Sequence, residues 1–100
     1  MSDMKLAIRD KRVQKKLQKI FKKDKVHGDA IDSALDKILE YPNRGIPMTG
    51  ELAGFRHLHV YDSFVILYFV DEVNNVIYID NYGHHDEMYS WNDKMKKSKK

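Results

Sequence analysis

The run from Phe64 to Val70 restricts the fold of this chain more than any other feature. All of its residues are apolar or aromatic, and β-branched and aromatic types dominate. These residue types favour a strand, and the run is far shorter than the ~20 residues that a membrane-spanning helix needs. A strand without polar positions has to be covered on both faces. The run therefore predicts the central strand of a sheet.

Further strand patterns flank this run. The segment Phe55 to Tyr61 alternates, which places Phe55, His57, His59 and Tyr61 on one face and Arg56, Leu58 and Val60 on the other. A polar turn, Asp71 to Asn75, leads to a third strand from Val76 to Tyr82. The short connections predict an antiparallel meander, and Met4 to Ile8 is a candidate for a fourth strand at the edge.

Two helices are predicted between the edge strand and the meander. The first runs from Asp10, its N-cap, to Lys25, and the second from Asp29 to Tyr41, where Pro42 prevents continuation. Gly28 marks the expected turn between them. Their apolar stripes are Val13, Leu17, Ile20 and Phe21 in the first and Ile31, Ala34, Leu35, Ile38 and Leu39 in the second. A short connection predicts an antiparallel hairpin that packs on the sheet.

These elements predict an α+β fold, an N-terminal helical hairpin on a three- to four-stranded antiparallel sheet with a short C-terminal helix. Its 100 residues suit one domain, predicted over residues 1–93, with a basic tail at 94–100. The absence of cysteine excludes disulfides and thiolate metal sites, and it fits a reducing compartment. With no signal-peptide or membrane-spanning pattern, the expected location is cytoplasmic, with no membrane contact.

The net charge of +3 conceals a strong segregation along the chain. Residues 1–25 carry +7, residues 26–93 carry −9, and residues 94–100 add five lysines. Clustered cations gain affinity for polyanions by releasing counterions from phosphates. A nucleic acid or an acidic protein is therefore a candidate partner, although a solvated helix and tail would show the same pattern.

Four of the five histidines are expected to converge. His57 and His59 share a strand face, while His84 and His85 lie where the third strand ends. Tyr89 follows His85 by four residues and would project from the same side of a helix. Imidazoles and a phenol can supply the proton donor and acceptor for RNA cleavage without a metal or a small-molecule cofactor.

Other interpretations of these residues remain open. The strand histidines could be ordinary half-exposed residues, or they could hold zinc together with Asp86 or Glu87. Arg44 and Arg56 could clamp a phosphate, or they could form surface ion pairs. The aromatic residues near the predicted pocket could stack on bases or belong to the core.

Three segments, in this order, resemble the RelE/ParE toxin superfamily and most closely its YafQ branch. They are Gly54 to Val60 with the pattern Gly-aromatic-Arg-x-x-His, Phe64 to Tyr68, and Tyr82 to Tyr89 with the pattern Gly-x-His-x-x-x-aromatic. The resemblance implies a RelE-like fold and a toxin that cuts messenger RNA on the ribosome. It also implies a cognate antitoxin as protein partner.

Carried over by position, the resemblance implies catalytic roles for His59, His85 and Tyr89. We assign substrate binding to Arg56, His57, Asp62, Phe64 and His84. The sequence departs from the branch at Ser63-Phe64, where an Asp-Trp pair is usual, and at Ile46 and Val65, where the relatives carry a loop histidine and a strand arginine. These losses keep two alternatives open: a ParE-like gyrase inhibitor without catalysis, and a degenerate relative that only binds its antitoxin.

Overall fold

The computed structural model describes residues 4–61, 63–88, 90 and 91. Its helices are α1 (Lys11–Lys23) and α2 (Lys25–Glu40), and its strands are β1 (Lys5–Ala7), β2 (Ile46–Pro47), β3 (Phe55–Val60), β4 (Phe64–Asp71) and β5 (Val76–His84). Short 3-10 turns lie at Pro42–Arg44, Gly50–Leu52 and His85–Glu87. The two helices pack on a mixed sheet with the strand order β1-β5-β4-β3-β2. The predicted α+β class is confirmed.

Helix α1 begins where the sequence predicts. The Asp10 carboxylate accepts a hydrogen bond from the backbone N–H of Arg12 at 2.8 Å, which identifies Asp10 as the N-cap. This bond holds the pKa of Asp10 below its ordinary value. Val13 and Leu17 are buried on the face that meets the sheet, while the lysines remain exposed. The helix is therefore amphipathic as predicted.

The junction of the hairpin lies at Asp24, so the prediction of a turn at Gly28 is wrong. The Asp24 N–H donates to the carbonyl of Ile20 and ends α1, while its carboxylate accepts from the N–H of His27 and begins α2. Gly28 lies inside α2 because the helices cross closely there. An added Cβ would stand 2.9 Å from a ring carbon of Phe21.

The hairpin carries opposite charges on its two helices. The exposed cations of α1 are Lys11, Arg12, Lys15, Lys16, Lys19, Lys22 and Lys23. The exposed carboxylates of α2 are Asp29, Asp32, Asp36 and Glu40. The charge segregation seen along the sequence therefore becomes a segregation in space.

The meander is confirmed, because β4 pairs antiparallel with both β3 and β5. The expectation of a purely antiparallel sheet is wrong at one edge, where β1 pairs in parallel with β5 from Lys5 opposite Val76. Because β2 to β5 alternate in direction, β1 runs the same way as β3 and β5 and opposite to β2 and β4. At the other edge, the two residues of β2 pair with Arg56 and His57, a pairing too short to leave a sequence pattern.

Strand β4 is buried on both faces. Ile66 and Tyr68 belong to the core beneath the helices, and Val65 and Leu67 belong to a second core on the opposite face. None of these four side chains is more than 1% exposed. The second core also contains Leu52 and Trp91. The prediction of a central strand is confirmed.

After β5 the chain turns back toward the sheet. The 3-10 turn His85–Glu87 is followed by helical backbone at Met88, Ser90 and Trp91. The expected short C-terminal helix is therefore present in part, and the lysine tail at 94–100 lies outside the described residues. Among the described residues, neither helix is long and apolar enough to cross a membrane.

The loop before β3 is fixed by two side chains from the sheet. The Tyr68 hydroxyl donates to the carbonyl of Pro42 at 2.9 Å and accepts from the N–H of Gly45 at 2.8 Å. The Arg56 guanidinium donates to the carbonyls of Asn43 and Gly45 at 3.1 and 2.8 Å. Burial raises the pKa of Tyr68, so its hydroxyl stays protonated. Both residues therefore hold the loop against the sheet.

We expect Tyr68→Phe to lower the free energy of unfolding by about 1–3 kcal/mol, because the buried N–H of Gly45 loses its acceptor. Chemical denaturation measures this change. Tyr41→Phe is the matched control, since Tyr41 is 58% exposed, and it should change the value by less than ~0.5 kcal/mol. Equal stability of the two variants would contradict this role of the hydroxyl.

Candidate active site

Strand β3 presents its histidines on the face opposite the helices. In the β3–β4 register His59 pairs with Val65 and His57 pairs with Leu67. Val65 and Leu67 belong to the second core, so the two histidines share that side of the sheet, as the alternation predicts. His57 is buried and His59 is exposed.

His85 joins these two histidines from the end of β5. Its backbone N–H donates to the carbonyl of Ser63 at 2.6 Å, which holds the start of the 3-10 turn beside β4. The His59 and His85 rings stack with their centroids 5.6 Å apart, and the His57 and His59 rings lie edge to face at 5.5 Å. We call these three rings the histidine cluster.

The cluster combines different environments for its imidazoles. His57 is only 8% exposed, and its Nδ1 lies 3.0 Å from the sulfur of Met48. Burial lowers the pKa of His57, and the positive charges of protonated His59 and His85 lower it further. His57 therefore favours the neutral form, which can accept a proton, next to two rings that are more accessible to solvent. Such a set can relay protons around a bound phosphate.

Two predicted substrate residues lie away from the cluster. Phe64 faces the helix side, where its ring stacks on Tyr82 and lies 4.6 Å from the His27 ring. His84 is the cross-strand partner of Phe64 and contacts its ring edge to face at 5.4 Å. His84 also lies 3.8 Å from the Asp86 carboxylate. Neither side chain shares the sheet face of the cluster.

Other predicted site residues have different outcomes. Arg56 holds the carbonyls of Asn43 and Gly45, so its position is explained by the loop rather than by a substrate. Tyr61, expected beside the strand histidines, has a positive φ of 54° that ends the strand, and its ring lies 4.9 Å from the His27 ring. Asp62 and Tyr89 lie outside the described residues, and their roles stay predictions.

His27 is a buried histidine that the sequence analysis did not place. Its Nε2 is hydrogen-bonded to the Tyr82 hydroxyl, and Tyr61, Phe64 and Tyr82 surround its ring. Burial raises the pKa of Tyr82, which keeps this hydroxyl protonated. The sequence did contain a signal for its burial: His27 lies four residues before Ile31 and so continues the apolar stripe of α2. The predicted turn at Gly28 placed His27 outside the helix, and the stripe was therefore not extended to it.

Glycine at position 83 lets the C-terminal segment lie close to the cluster. Gly83 pairs with Val65, the residue that also pairs with His59. A Cβ there would stand 3.1 Å from the Trp91 ring and would overlap the Glu87 carboxylate. The N–H of His84 also donates to the Glu87 carboxylate at 2.9 Å. The segment that follows His85 is thus folded onto the sheet beside the cluster.

No group of three or more His, Asp or Glu side chains within residues 4–61, 63–88, 90 and 91 is arranged to hold a metal ion. The zinc alternative has no geometric support in that part of the chain. The arrangement that remains is a set of imidazoles on a partly uncovered sheet face. Imidazoles arranged in this way can accept and donate protons.

We expect the pKa of His57 to lie below the 6.5 of an ordinary histidine, as measured by NMR titration of the imidazole signals. His85→Gln should raise this pKa only in part, because burial is the larger cause and remains. Since the pKa is lower in the folded than in the unfolded chain, His57 favours folding above pH 6.5, and this contribution is lost as the pH falls toward the folded pKa. An unchanged His57 pKa in His85→Gln would show that the two rings do not interact.

A comparison with family models matches residues 8–89 to the ParE toxin of type II toxin–antitoxin systems. This match spans both helices and the meander, so it includes the histidine cluster. A protein of Methanocaldococcus jannaschii named "Putative toxin RelE4" is 32% identical over 77 residues, which cover 77% of this chain and 82% of that protein.

Solved structures share the fold at low sequence identity. A variant of the Escherichia coli toxin RelE in the free state has a TM-score of 0.70 at 20% identity and covers 94% of this chain and 97% of its own. Escherichia coli YafQ has a TM-score of 0.61 at 14% identity and covers 89% and 99%. The family match and the 32% identical relative together show that this chain belongs to the RelE/ParE superfamily of type II toxin–antitoxin toxins.

Proposed function

We propose that this toxin is a metal-independent endoribonuclease that cuts messenger RNA on the ribosome and thereby inhibits translation. The observation that carries the proposal is the histidine cluster of His57, His59 and His85. Its rings lie on the sheet face that the helices do not cover. The structural likeness to RelE and YafQ supports the same proposal.

The proposed reaction is transphosphorylation by the RNA itself. One group removes the proton of a 2′-hydroxyl, whose oxygen then bonds to the adjacent phosphorus. The bond from phosphorus to the 5′-oxygen breaks, and a second group protonates that oxygen, so the products are a 2′,3′-cyclic phosphate and a free 5′-hydroxyl. The reaction therefore needs no external nucleophile, metal or cofactor.

The geometry suggests how the roles divide. The rings of His59 and His85 are stacked at 5.6 Å, so both can reach a single phosphate. We assign His85 as general acid and His59 as general base. His57, held by burial and by Met48, helps to orient His59 through its edge-to-face contact. Tyr89 is proposed to contact the substrate base.

The main competing function is that of a ParE-like toxin, which binds DNA gyrase without catalysis. The matched family, described as ParE toxin, is the reason to consider it. A binding surface has no need for adjacent imidazoles, and the cluster therefore favours the nuclease. The missing acidic, loop and strand residues at Ser63, Ile46 and Val65 leave few other catalytic groups. Positioning by the ribosome would compensate, because positioning alone contributes many kcal/mol.

Two partners follow from this proposal. The exposed cations of α1 fit ribosomal RNA, and a cognate antitoxin fits the family to which the chain belongs. Both partners imply action in the cytoplasm, where translating ribosomes are found.

Replacing His85 with Ala should lower cleavage of ribosome-bound mRNA by roughly 10²–10⁴-fold, because the general acid is removed. His59→Ala should cost a similar or somewhat smaller factor. Glu72→Ala is the control: Glu72 is exposed in the turn between β4 and β5, and its replacement should leave the rate nearly unchanged. Primer extension on mRNA with purified ribosomes measures all three variants.

A doubly substituted His59→Ala/His85→Ala protein that cleaves as fast as the wild type would end this assignment. Circular dichroism should show that the variants fold, since neither side chain belongs to a core cluster. Addition of EDTA tests the metal alternative, because the proposed chemistry is insensitive to chelators provided that the ribosomes remain intact.

Association with ribosomes should weaken steeply with salt, because the cations of α1 release counterions when they neutralise phosphates. Cosedimentation at increasing salt measures the slope. Replacing Lys15 and Lys19, which are exposed, with Gln should reduce that slope by ~0.7–0.9 for each phosphate that is no longer neutralised. Deletion of residues 94–100 should weaken binding without abolishing cleavage. Salt-independent sedimentation would contradict an electrostatic docking surface.

A further inference from the structure

A groove of about 340 Å³ lies between α2 and the outer edge of β3. Helix α2 contributes Ser33 and Lys37, the loop contributes Arg44, and the strand contributes residues 58–61. The volume falls at the lower end of the ~300–1,000 Å³ that is usual for small-ligand sites. We call this cavity the edge groove. No contact of the proposed reaction accounts for it.

The two cations of the edge groove are available for a ligand. Lys37 and Arg44 are exposed, and within the described residues neither side chain forms an ion pair or a hydrogen bond to another side chain. By contrast, Arg56 is committed to two carbonyls of the loop and Arg9 lies against Asp80 and the Tyr78 ring. An unpaired lysine and arginine on one cavity wall favour an anion.

The edge groove and the histidine cluster meet at His59. This residue lines the groove, while its ring stacks on His85 on the face of the sheet opposite α2, so the open edge of β3 lies between the two sites. Tyr61, which is 46% exposed, forms another part of the wall and offers an aromatic surface to a base. A nucleic acid strand that places one phosphate at His59 and His85 and then passes around the open edge of β3 would reach the groove with a flanking nucleotide.

We propose that the edge groove binds a nucleotide of single-stranded RNA that flanks the scissile phosphate, with Lys37 and Arg44 on its phosphates. This inference rests on the proposed nuclease function and assigns it a second contact region. Lys37 and Arg44 act here as substrate-binding residues, outside the chemical step. Their contribution is to fix the register of the strand across His59.

A protein segment is the competing occupant. Strand β2 pairs only with Arg56 and His57, so the outer edge of residues 58–60 has no partner strand among the described residues. Addition of a peptide strand would use backbone groups and would not require two cations. The two cations, Lys37 and Arg44, and the presence of His59 at the groove therefore favour RNA.

The test uses the full-length protein and a fluorescent single-stranded RNA hexamer with 2′-O-methyl groups, which cannot be cleaved through the 2′-oxygen. Fluorescence anisotropy at several salt concentrations gives the affinity and its salt dependence. We expect Lys37→Gln/Arg44→Gln to weaken binding roughly tenfold at low salt and to reduce the slope of log K against log salt by about 1.4, which is ~0.7 for each of two phosphate contacts.

The matched control is Lys5→Gln/Lys25→Gln, which removes the same charge from two exposed lysines on β1 and at the start of α2. At ~0.15 M salt it should keep the affinity within about twofold, because the Debye length is then only about 8 Å and distant charges are screened. Cleavage by the wild type is measured separately. If the groove variant binds the hexamer more weakly than the control does, the proposal is supported. Absence of cleavage by the wild type would count only against the nuclease function.

Three results would overturn the proposal. The first is an equal drop in affinity in the groove variant and the control, which would mean that only net charge matters. The second is unchanged binding in the groove variant, and the third is no binding of the hexamer by the wild type at low salt.

Discussion

Burial of β4 on both faces is the constraint on which the rest of this structure depends. Val65 and Leu67 point to one side and Ile66 and Tyr68 to the other, and all four are almost completely buried. Apolar side chains on two faces require two covering layers. The helical hairpin supplies one layer, and the segments that contain Leu52 and Trp91 supply the other. The topology follows from the need to bring both layers to one strand.

The two layers cover their faces unequally, and the candidate site lies where the cover is thin. The core beneath the helices extends over the whole hairpin, whereas the second core has only four buried members among the described residues. His57 and His59 stand on β3 beside this smaller core, and His85 enters as β5 ends. A sheet face that is only partly covered leaves His59 exposed and His85 partly exposed above the packed His57, which suits proton transfer in the proposed reaction.

The sequence was sufficient for features that depend on local periodicity, such as β4, the alternation of β3 and the Asp10 cap. It was not sufficient where two local signals compete or where distant segments meet. Asp24 and Gly28 both resemble helix ends, and only the close crossing at Phe21 explains a glycine within α2. Likewise, β5 extends two residues beyond Tyr82, so His84 still follows the strand alternation while His85 leaves it. The adjacent residues His84 and His85 therefore place their rings on different sides: the His85 ring belongs to the histidine cluster, and the His84 ring lies on the opposite side of the sheet.

The charge difference between the two helices has a consequence for orientation. With cations on α1 and carboxylates on α2, the hairpin forms an electric dipole across its width. A polyanionic surface exerts a torque on such a dipole and turns the molecule so that α1 approaches first. The helices cover one side of the sheet and the histidine cluster lies on the other. If α1 docks on ribosomal RNA and the cluster acts on messenger RNA, as proposed, the two RNA segments lie on opposite sides of one sheet.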